Sequence, residues 1–500
     1  MHLPAVNRTI FVFCLLLLMG SVSCKKFLST YSQNKSFVES ADDLDEVLVG
    51  EGYENITSNK AFFLHIMDDD AALGKPAGGF DKFLLTGFHF WQSDPWIDNQ
   101  GTVIPKDVFF IRMYERISRL NIILFNVPIM RDKGEPAAKL QRISGEAHFL
   151  RAYYYFMLMN YYGKPWHQST AASDFAVPIK IESPVDDKFF SRSTIKQVYD
   201  QIVADLTEAE KELETFNATT PKRANLAAVQ GLLSRVWLYQ EEYGKAISYA
   251  DKLLGNQRYK MSDLNQYVAG SDFNTLGSPE TIFTMGEAEI STLMSLDFDQ
   301  PNTEFYQVSD DLAAIYSGTD LRLNAFYKPN SKGVLRCVKA NHPYRLPTDV
   351  SDTWLIRISE ICLNKAEALA MLGRDQEAIN TIQELRKLRF KPADLTTISA
   401  TGEALVNFIR DERRRELSFE NHRWFDLRRY ANNAKYPFSK TIRHDSYSYG
   451  PGGYYKDGYY ELKPYDQDRA AYIIPIYREE IEFNSGSLKN EDRPQRSIKH

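Results

Sequence analysis

The stretch GLLSRVWLYQEEYGKAISYADKLL, residues 231–254, decides the fold, because EICLNKAEALAMLGRDQEAINTIQELRKL at 360–388 can be laid upon it. Aligning Ala246-Ile247 with Ala378-Ile379 places Trp237 on Leu369, Ala250 on Ile382 and Leu253 on Leu385. Both stretches read as a helix, a short polar turn, and a second helix that opens on a polar residue before Ala-Ile. Small side chains at such positions let two helices cross closely, which is the pattern of a tetratricopeptide-like hairpin. More than a hundred residues separate the two copies. We therefore expect hairpins packed as a scaffold with long excursions between them, and no continuous solenoid.

Helical periodicity continues outward from there. In KLQRISGEAHFLRAYYYFMLMNYYG (139–163), Ile143, Ala147, Leu150, Tyr154, Leu158 and Tyr161 recur at three or four residues, and Gly163 and Pro165 stop the helix. In 194–213, Thr194 and Gln197 have capping-box spacing ahead of a stripe of Ile195, Val198, Ile202, Leu206, Ala209 and Leu213. VFFIRMYERISRLNIILFNV (108–127) is another amphipathic helix. The intervening stretches 50–107, 164–192, 256–352 and 431–474 are rich in Gly, Pro, Asn and aromatics. Long loops on a rigid scaffold usually carry function.

The N-terminus reads as a targeting segment. Arg8 precedes the ten apolar residues Ile10 to Met19, too few to span a bilayer, and then GSVSC. Ending on a cysteine, this looks like a bacterial lipoprotein signal, with Cys24 as the lipidated first residue and KKFLSTYSQNKS as a tether. Several acyl chains, at roughly 0.8 kcal/mol per buried CH₂, would hold the protein on a membrane without a transmembrane helix. Loss of Arg8 with the signal takes the formal net charge from −6 to −7. An acidic exported chain is a poor nucleic-acid binder. Only Cys337 and Cys362 then remain as thiols, and Cys362 on a helical apolar pattern behaves as a small hydrophobe, so two free buried thiols are expected.

Four motifs carry a resemblance: SVSCKKFLST (21–30), GEAHFLRAYYYFMLMNYYGKPW (145–166), IRISEICLNKAEALAMLG (356–373) and IRDERRRELSFENHRWFDLRRY (409–430). The closing YIIPIYREEIEFN (472–484) adds a fifth. In that order they resemble the SusD/RagB family of outer-membrane lipoproteins. In one departure, Phe109 and Phe110 precede Tyr114, Ile117 and Asn121 where many relatives carry a Trp. The resemblance implies a mainly α fold of four tetratricopeptide-like hairpins with irregular inserts forming a ligand surface. Residues 1–23 would be the signal peptide and 24–500 a single SusD-like domain, with an N-terminal part at 24–220 and a C-terminal part at 221–500. It further implies an outer-membrane location facing the cell exterior and a SusC-like TonB-dependent barrel as partner. The ligand would be an oligosaccharide; the alternatives are a peptide or another nutrient on the same fold, a structural lid with little affinity of its own, and a surface hydrolase.

The ligand residues must come from the inserts. GFHFWQSDPWIDNQG (87–101) sets two of the six tryptophans five residues apart among turn formers. A pyranose stacks its C–H face on Trp or Tyr while short polar side chains meet its hydroxyls. Trp91, Gln92, Asp94, Trp96 and Asn99 fit that description, with Trp166 and Tyr306 as neighbours, and GPGGYYKDGYY (450–460) is a competing platform or a hairpin facing the barrel. Trp237, Trp354 and Trp424 fall in scaffold patterns and are expected in the core. The basic run Arg413 to Arg415 is interleaved with Glu412, Glu416, Glu420 and Asp426, so it reads as charge pairing between helices. Asp68-Asp69-Asp70 lacks the spaced ligands of a calcium loop and reads as a solvated acidic turn. There is no H-E-x-x-H, G-x-S-x-G or C-x-x-C motif, and we expect a binding protein without cofactor, metal or catalysis.

Overall fold

The computed structural model describes residues 38–54, 62–74, 85–97, 101, 103, 108–183, 189–288, 290, 294, 306–330, 333–340 and 350–500. Cys24 and Asn99 fall outside them. The N-terminal part contains α1 (Ala41–Val47), strand β1 (Ala71–Leu73), α2 (Thr86–His89), α3 (Val108–Asp132), α4 (Ala137–Tyr162) and α5 (Ile195–Glu212). Next come α6 (Leu226–Tyr239), α7 (Tyr243–Leu254), β2 (Thr281–Thr284), β3 (Tyr306–Val308), α8 (Asp310–Ala313) and α9 (Arg322–Phe326). They are followed by β4 (Tyr327–Pro329), β5 (Leu335–Cys337), β6 (Leu355–Arg357), α10 (Ile358–Met371) and α11 (Asp375–Arg386). The chain closes with α12 (Gly402–Leu417), α13 (Arg423–Ala431), β7 (Ile442–Gly450), β8 (Gly453–Leu462) and α14 (Arg478–Phe483).

The two aligned stretches fold alike. α6 packs on α7, α10 on α11, and α7 and α12 both lie against α10. The aligned pairs Ala246 and Ala378, Ala250 and Ile382, and Leu253 and Leu385 are all buried at those contacts. Trp354 and Trp424 are core residues as expected. Trp237 is not: it is half-buried, with the Lys245 ammonium 4.1 Å from its ring centre. Its position near the helix end leaves one face to solvent, where a cation replaces apolar neighbours.

α4 is the central strut, packed on both α3 and α5. From Ile143 onward, apart from His148, its residues are buried all round, including Tyr153, Tyr154 and Tyr155; an apolar helix without a polar face has to be interior. It ends at Gly163, though not through a left-handed turn, since φ there is −102°. A Cβ at this position would sit 2.8 Å from the Met159 carbonyl oxygen and 3.1 Å from Ala176, so close approach is what demands glycine. α5 starts as its sequence dictates: the Thr194 side chain accepts from the Gln197 backbone N–H and the Gln197 side chain accepts from that of Thr194. α3 runs five residues further than its periodicity predicts, through Pro128 to Asp132.

The strands form two-stranded antiparallel pairs: β1 with β3, β2 with β6, β4 with β5, and β7 with β8. One apolar core runs through the helices from Ala41 to Leu488. A second, smaller core is built by the inserts, from Ile66 and Ala71 through Tyr306, Phe326 and Cys337 to Phe419 and Tyr454. Cys337 and Cys362 are free and buried.

Charges at the end of α12 and just beyond it form a buried network. Glu416 accepts from Arg357 at 2.8 Å and from Arg389 at 2.8 and 2.9 Å, while Glu420 accepts from Arg357 at 2.7 Å and Lys339 at 2.6 Å. Arg413 donates to Asp426 at 2.9 Å. All these groups are buried. Each cation has carboxylate partners, the condition under which buried charge is tolerable.

Candidate functional site

The tryptophan stretch folds inward. Gly87 in α2 lies so close to residues 95–97 that a Cβ there would be 2.5 Å from the Pro95 carbonyl oxygen and 2.4 Å from that of Ile97. The Asp94 side chain closes the turn by accepting from the Trp96 N–H at 3.1 Å. Trp96 then meets Phe88 edge-on at 4.9 Å and Tyr477 at 5.5 Å. Trp91, held at φ +51°, donates from Nε1 to the Met67 carbonyl at 2.8 Å and stacks on His444 at 4.3 Å. Arg493 and Arg496 cover the corner from the C-terminal segment, donating to the Gln92 and Trp91 carbonyls.

The expectation of an exposed aromatic platform here is therefore corrected. Trp91 is 0% and Trp96 6% exposed, so neither ring offers a face to a ligand. Asp94 is exposed and Gln92 half-buried, but both serve the turn and its cover. Tyr306 is fully buried in β3, and Trp166 is half-buried, edge-on to Tyr199 at 5.3 Å. Short polar residues between the rings made the stretch look like a surface loop; they form a corner whose lid lies about 400 residues away in the chain.

The acidic triplet is also corrected, since Asp68, Asp69 and Asp70 are buried. Their carboxylates lie within 4.8 Å of one another. Arg423 grips Asp69 with two hydrogen bonds of 2.7 and 2.8 Å, and Lys440 reaches it at 2.9 Å. Arg414 donates to Asp70 at 2.7 Å and to Asp311 at 2.9 Å. Burial opposes ionisation of Asp69, yet Arg423 and Arg414 hold its carboxyl well below the usual carboxylate range. Burial, then the charges of Asp70 and Asp69, push Asp68 well above it. The triplet is a buried anchor that ties an insert to α12, α13 and the approach to β7.

Above this anchor opens a cleft of about 490 Å³. One wall is the β1–β3 pair, in which Ala71 faces Val308 and Leu73 faces Tyr306. Ser309 ends that wall: its hydroxyl donates to the Asp69 carbonyl at 2.6 Å and accepts from the Leu312 N–H, capping α8. Asp310 and Asp311 follow on the rim, both exposed. The opposite wall is residues 440–447. There Lys440 bridges Asp69 and Asp311 at 2.9 and 3.0 Å, which fixes the distance between the walls.

β7 lines the cleft with residues 442–445 and Tyr447, and burial alternates along it: Ile442, His444 and Ser446 are buried, whereas Arg443 is exposed and Asp445 and Tyr447 are half-buried. The register shifts between Ser446 and Tyr447, one place where the hairpin bends. Asp445 pairs with Lys456 at 2.7 Å and Arg443 with Glu461 at 3.1 Å. Burial and then the Asp445 carboxylate raise the Tyr447 phenol above its ordinary value, with Lys456 opposing and Asp310 adding. Further along the hairpin, Tyr449 and Tyr455 are 66% and 54% exposed. The cleft thus joins a partly exposed aromatic face to a rim of carboxylates, an amide (Gln307) and a hydroxyl (Thr441). That combination suits a ligand with C–H faces and many hydroxyl donors.

None of Trp91, Gln92, Asp94, Trp96, Trp166 or Tyr306 lines the cleft. The competing platform GPGGYYKDGYY (450–460) supplies no residue of the cleft either; Tyr447 precedes it, in the SYSY alternation of β7, outside every expected ligand stretch.

Comparison with known proteins gives the architecture its place. The model of the SusD family matches residues 312–492, and a model described as "starch-binding associating with outer membrane" matches residues 27–238. The chain belongs to the SusD/RagB family. Two SusD-like proteins of Formosa agariphila, P38 and P2, are each 24% identical to this family member. The alignments cover 63% of this chain and 70% of P38, and 79% of this chain and 81% of P2. A SusD-like carbohydrate-binding protein from Bacteroides vulgatus superposes with a TM-score of 0.68 at 22% identity, over 91% of this chain and 98% of that one. A SusD superfamily protein from Bacteroides thetaiotaomicron gives 0.69 at 20% identity, over 91% and 100%. These structures share the helical fold found here. No helix among the described residues is long and apolar enough to cross a membrane.

Proposed function

We propose that this protein is a non-catalytic glycan-binding lipoprotein of the outer membrane, with the cleft between β1–β3 and β7 as its binding site. The supporting observation is the cleft itself: Tyr447, Asp310 and Asp445 line it together, between walls tied by the Lys440 bridge. A sugar ring would stack on Tyr447 while its hydroxyls donate to the rim carboxylates, and little would have to reorganise on binding. The outer-membrane description of the N-terminal family model and the carbohydrate-binding relative point the same way.

In this reading Cys24 carries the lipid, residues 24–500 act as one domain, and captured oligosaccharide passes to a SusC-like TonB-dependent barrel. Affinity electrophoresis through gels containing single polysaccharides tests the binding step, with retardation expected for at least one glycan and lost in Tyr447→Ala. Retardation by none, with binding to a peptide library instead, would replace the glycan by a peptide. Cys24→Ala should fold normally but leave the membrane fraction; retained anchoring would refute the lipoprotein assignment. Co-purification of a TonB-dependent barrel with the anchored protein tests the partner.

A further inference from the structure

Resting on the glycan reading of the cleft, we infer that the site selects uncharged glycans and rejects uronate- or sulfate-bearing ones. An anionic sugar needs a cation with free donors, because a carboxylate or sulfate leaves water only for charge-assisted hydrogen bonds. The cleft is lined by two cations, Lys440 and Arg443, against four carboxylates, Asp69, Asp310, Asp311 and Asp445. Lys440 lies 2.9 Å from Asp69 and 3.0 Å from Asp311, so pulling it to a ligand would strip the bridge between the walls. Arg443 gives its Nε to Glu461 at 3.1 Å and lies 5.0 Å from the Tyr459 ring centre; its Nη donors are outnumbered by the lining carboxylates.

Two of those carboxylates are incompletely neutralised. Asp310 is exposed and has no ion pair among the described residues, and the Asp445 side chain is 42% exposed with Lys456 as its single cation. Both line the same cleft as Tyr447, the ring on which a sugar would lie. Carboxylates there accept from vicinal hydroxyls of a neutral sugar and repel a ligand anion at the same distance. An amino sugar in its ammonium form would also be admitted.

The test uses the mature protein and two panels of soluble polysaccharide at low ionic strength, where surface charge is least screened. Neutral probes are amylopectin, galactomannan, arabinoxylan and mixed-linkage β-glucan; anionic probes are polygalacturonate, alginate and a sulfated galactan. The parent should be retarded by a member of the neutral panel and bind anionic members at least about tenfold more weakly. Asp310→Lys, on an exposed position where folding is checked by its melting temperature, should narrow that gap about tenfold. An anionic glycan as the best ligand, still dependent on Tyr447, would overturn the selectivity and leave the site standing. Binding to neither panel, or binding indifferent to Tyr447→Ala, would overturn the cleft reading and this inference with it.

Discussion

Replacing Trp91 separates a core ring from a ligand-binding ring. Its side chain is fully buried, donates to the Met67 carbonyl at 2.8 Å and stacks on His444 at 4.3 Å. Trp→Ala in a core costs about 3–5 kcal/mol, the lost transfer energy plus the cavity left behind. Unfolding entropy of about 2.1 cal/mol/K per residue over a 500-residue chain makes roughly 1 kcal/mol equivalent to 1 K. Trp91→Ala should therefore lower the melting temperature by about 3–5 °C. Trp91→Phe keeps an aromatic stack but strands the Met67 carbonyl, so about 1–3 °C is expected. Differential scanning calorimetry reads both, alongside gel retardation of the surviving folded protein. Glycan affinity per folded molecule should be unchanged in each. A Trp91→Ala variant that melts with the parent yet has lost its retardation would show the ring to be a ligand contact and refute its assignment to the core.

Other consequences are as direct. Arg357→Ala takes one cation from Glu416 and one from Glu420, which keep Arg389 and Lys339, and should destabilise by about 1–3 kcal/mol in urea titration; a change below about 0.5 kcal/mol would show Arg357 to be dispensable. Thr194→Ala removes one half of the α5 capping box and should cost about 1 kcal/mol, whereas Thr194→Ser should be near neutral. Arg322 and Arg415 hold the buried Glu412 carboxyl down at about 2 against the burial that opposes them. Because the folded value lies below the unfolded one, this stabilisation is complete above pH 4.5 and lost as pH falls towards 2, about 3 kcal/mol in all. Burial pulls His444 down to about 4, so the unfolded chain gains that proton first and stability should already fall between pH 6.5 and 4. A urea midpoint that stays flat from pH 7 to 4 would contradict the buried neutral imidazole.

How much of this was legible in the sequence follows from the range of each interaction. The hairpins, the Thr194 capping box and the end of α4 at Gly163 rest on contacts within a few residues, and the periodicity gave them away. The interleaved charges of ERRREL implied pairing but not the partners, since Arg413 goes to Asp426, Arg414 to Asp70 and Glu416 to Arg357 and Arg389. The fate of Trp91 depends on Met67, His444 and Arg496, which no local pattern connects to it. The Asp68–Asp70 triplet looked solvated because its arginines lie about 350 residues away. The cleft takes its walls from 69–73, 307–311 and 440–447, so its outline appears only once the chain has folded. Trp237 failed in the opposite sense: its place in the repeat suggested a core ring, but the helix end exposes it to Lys245.

The most direct measurement is isothermal titration of the parent and of Tyr447→Ala with oligosaccharides from whichever polysaccharide retards the parent. A stacked ring contributes on the order of 1–2 kcal/mol, so the variant should bind about tenfold or more weakly at an unchanged melting temperature. Equal affinity in the two proteins would contradict a glycan site in this cleft.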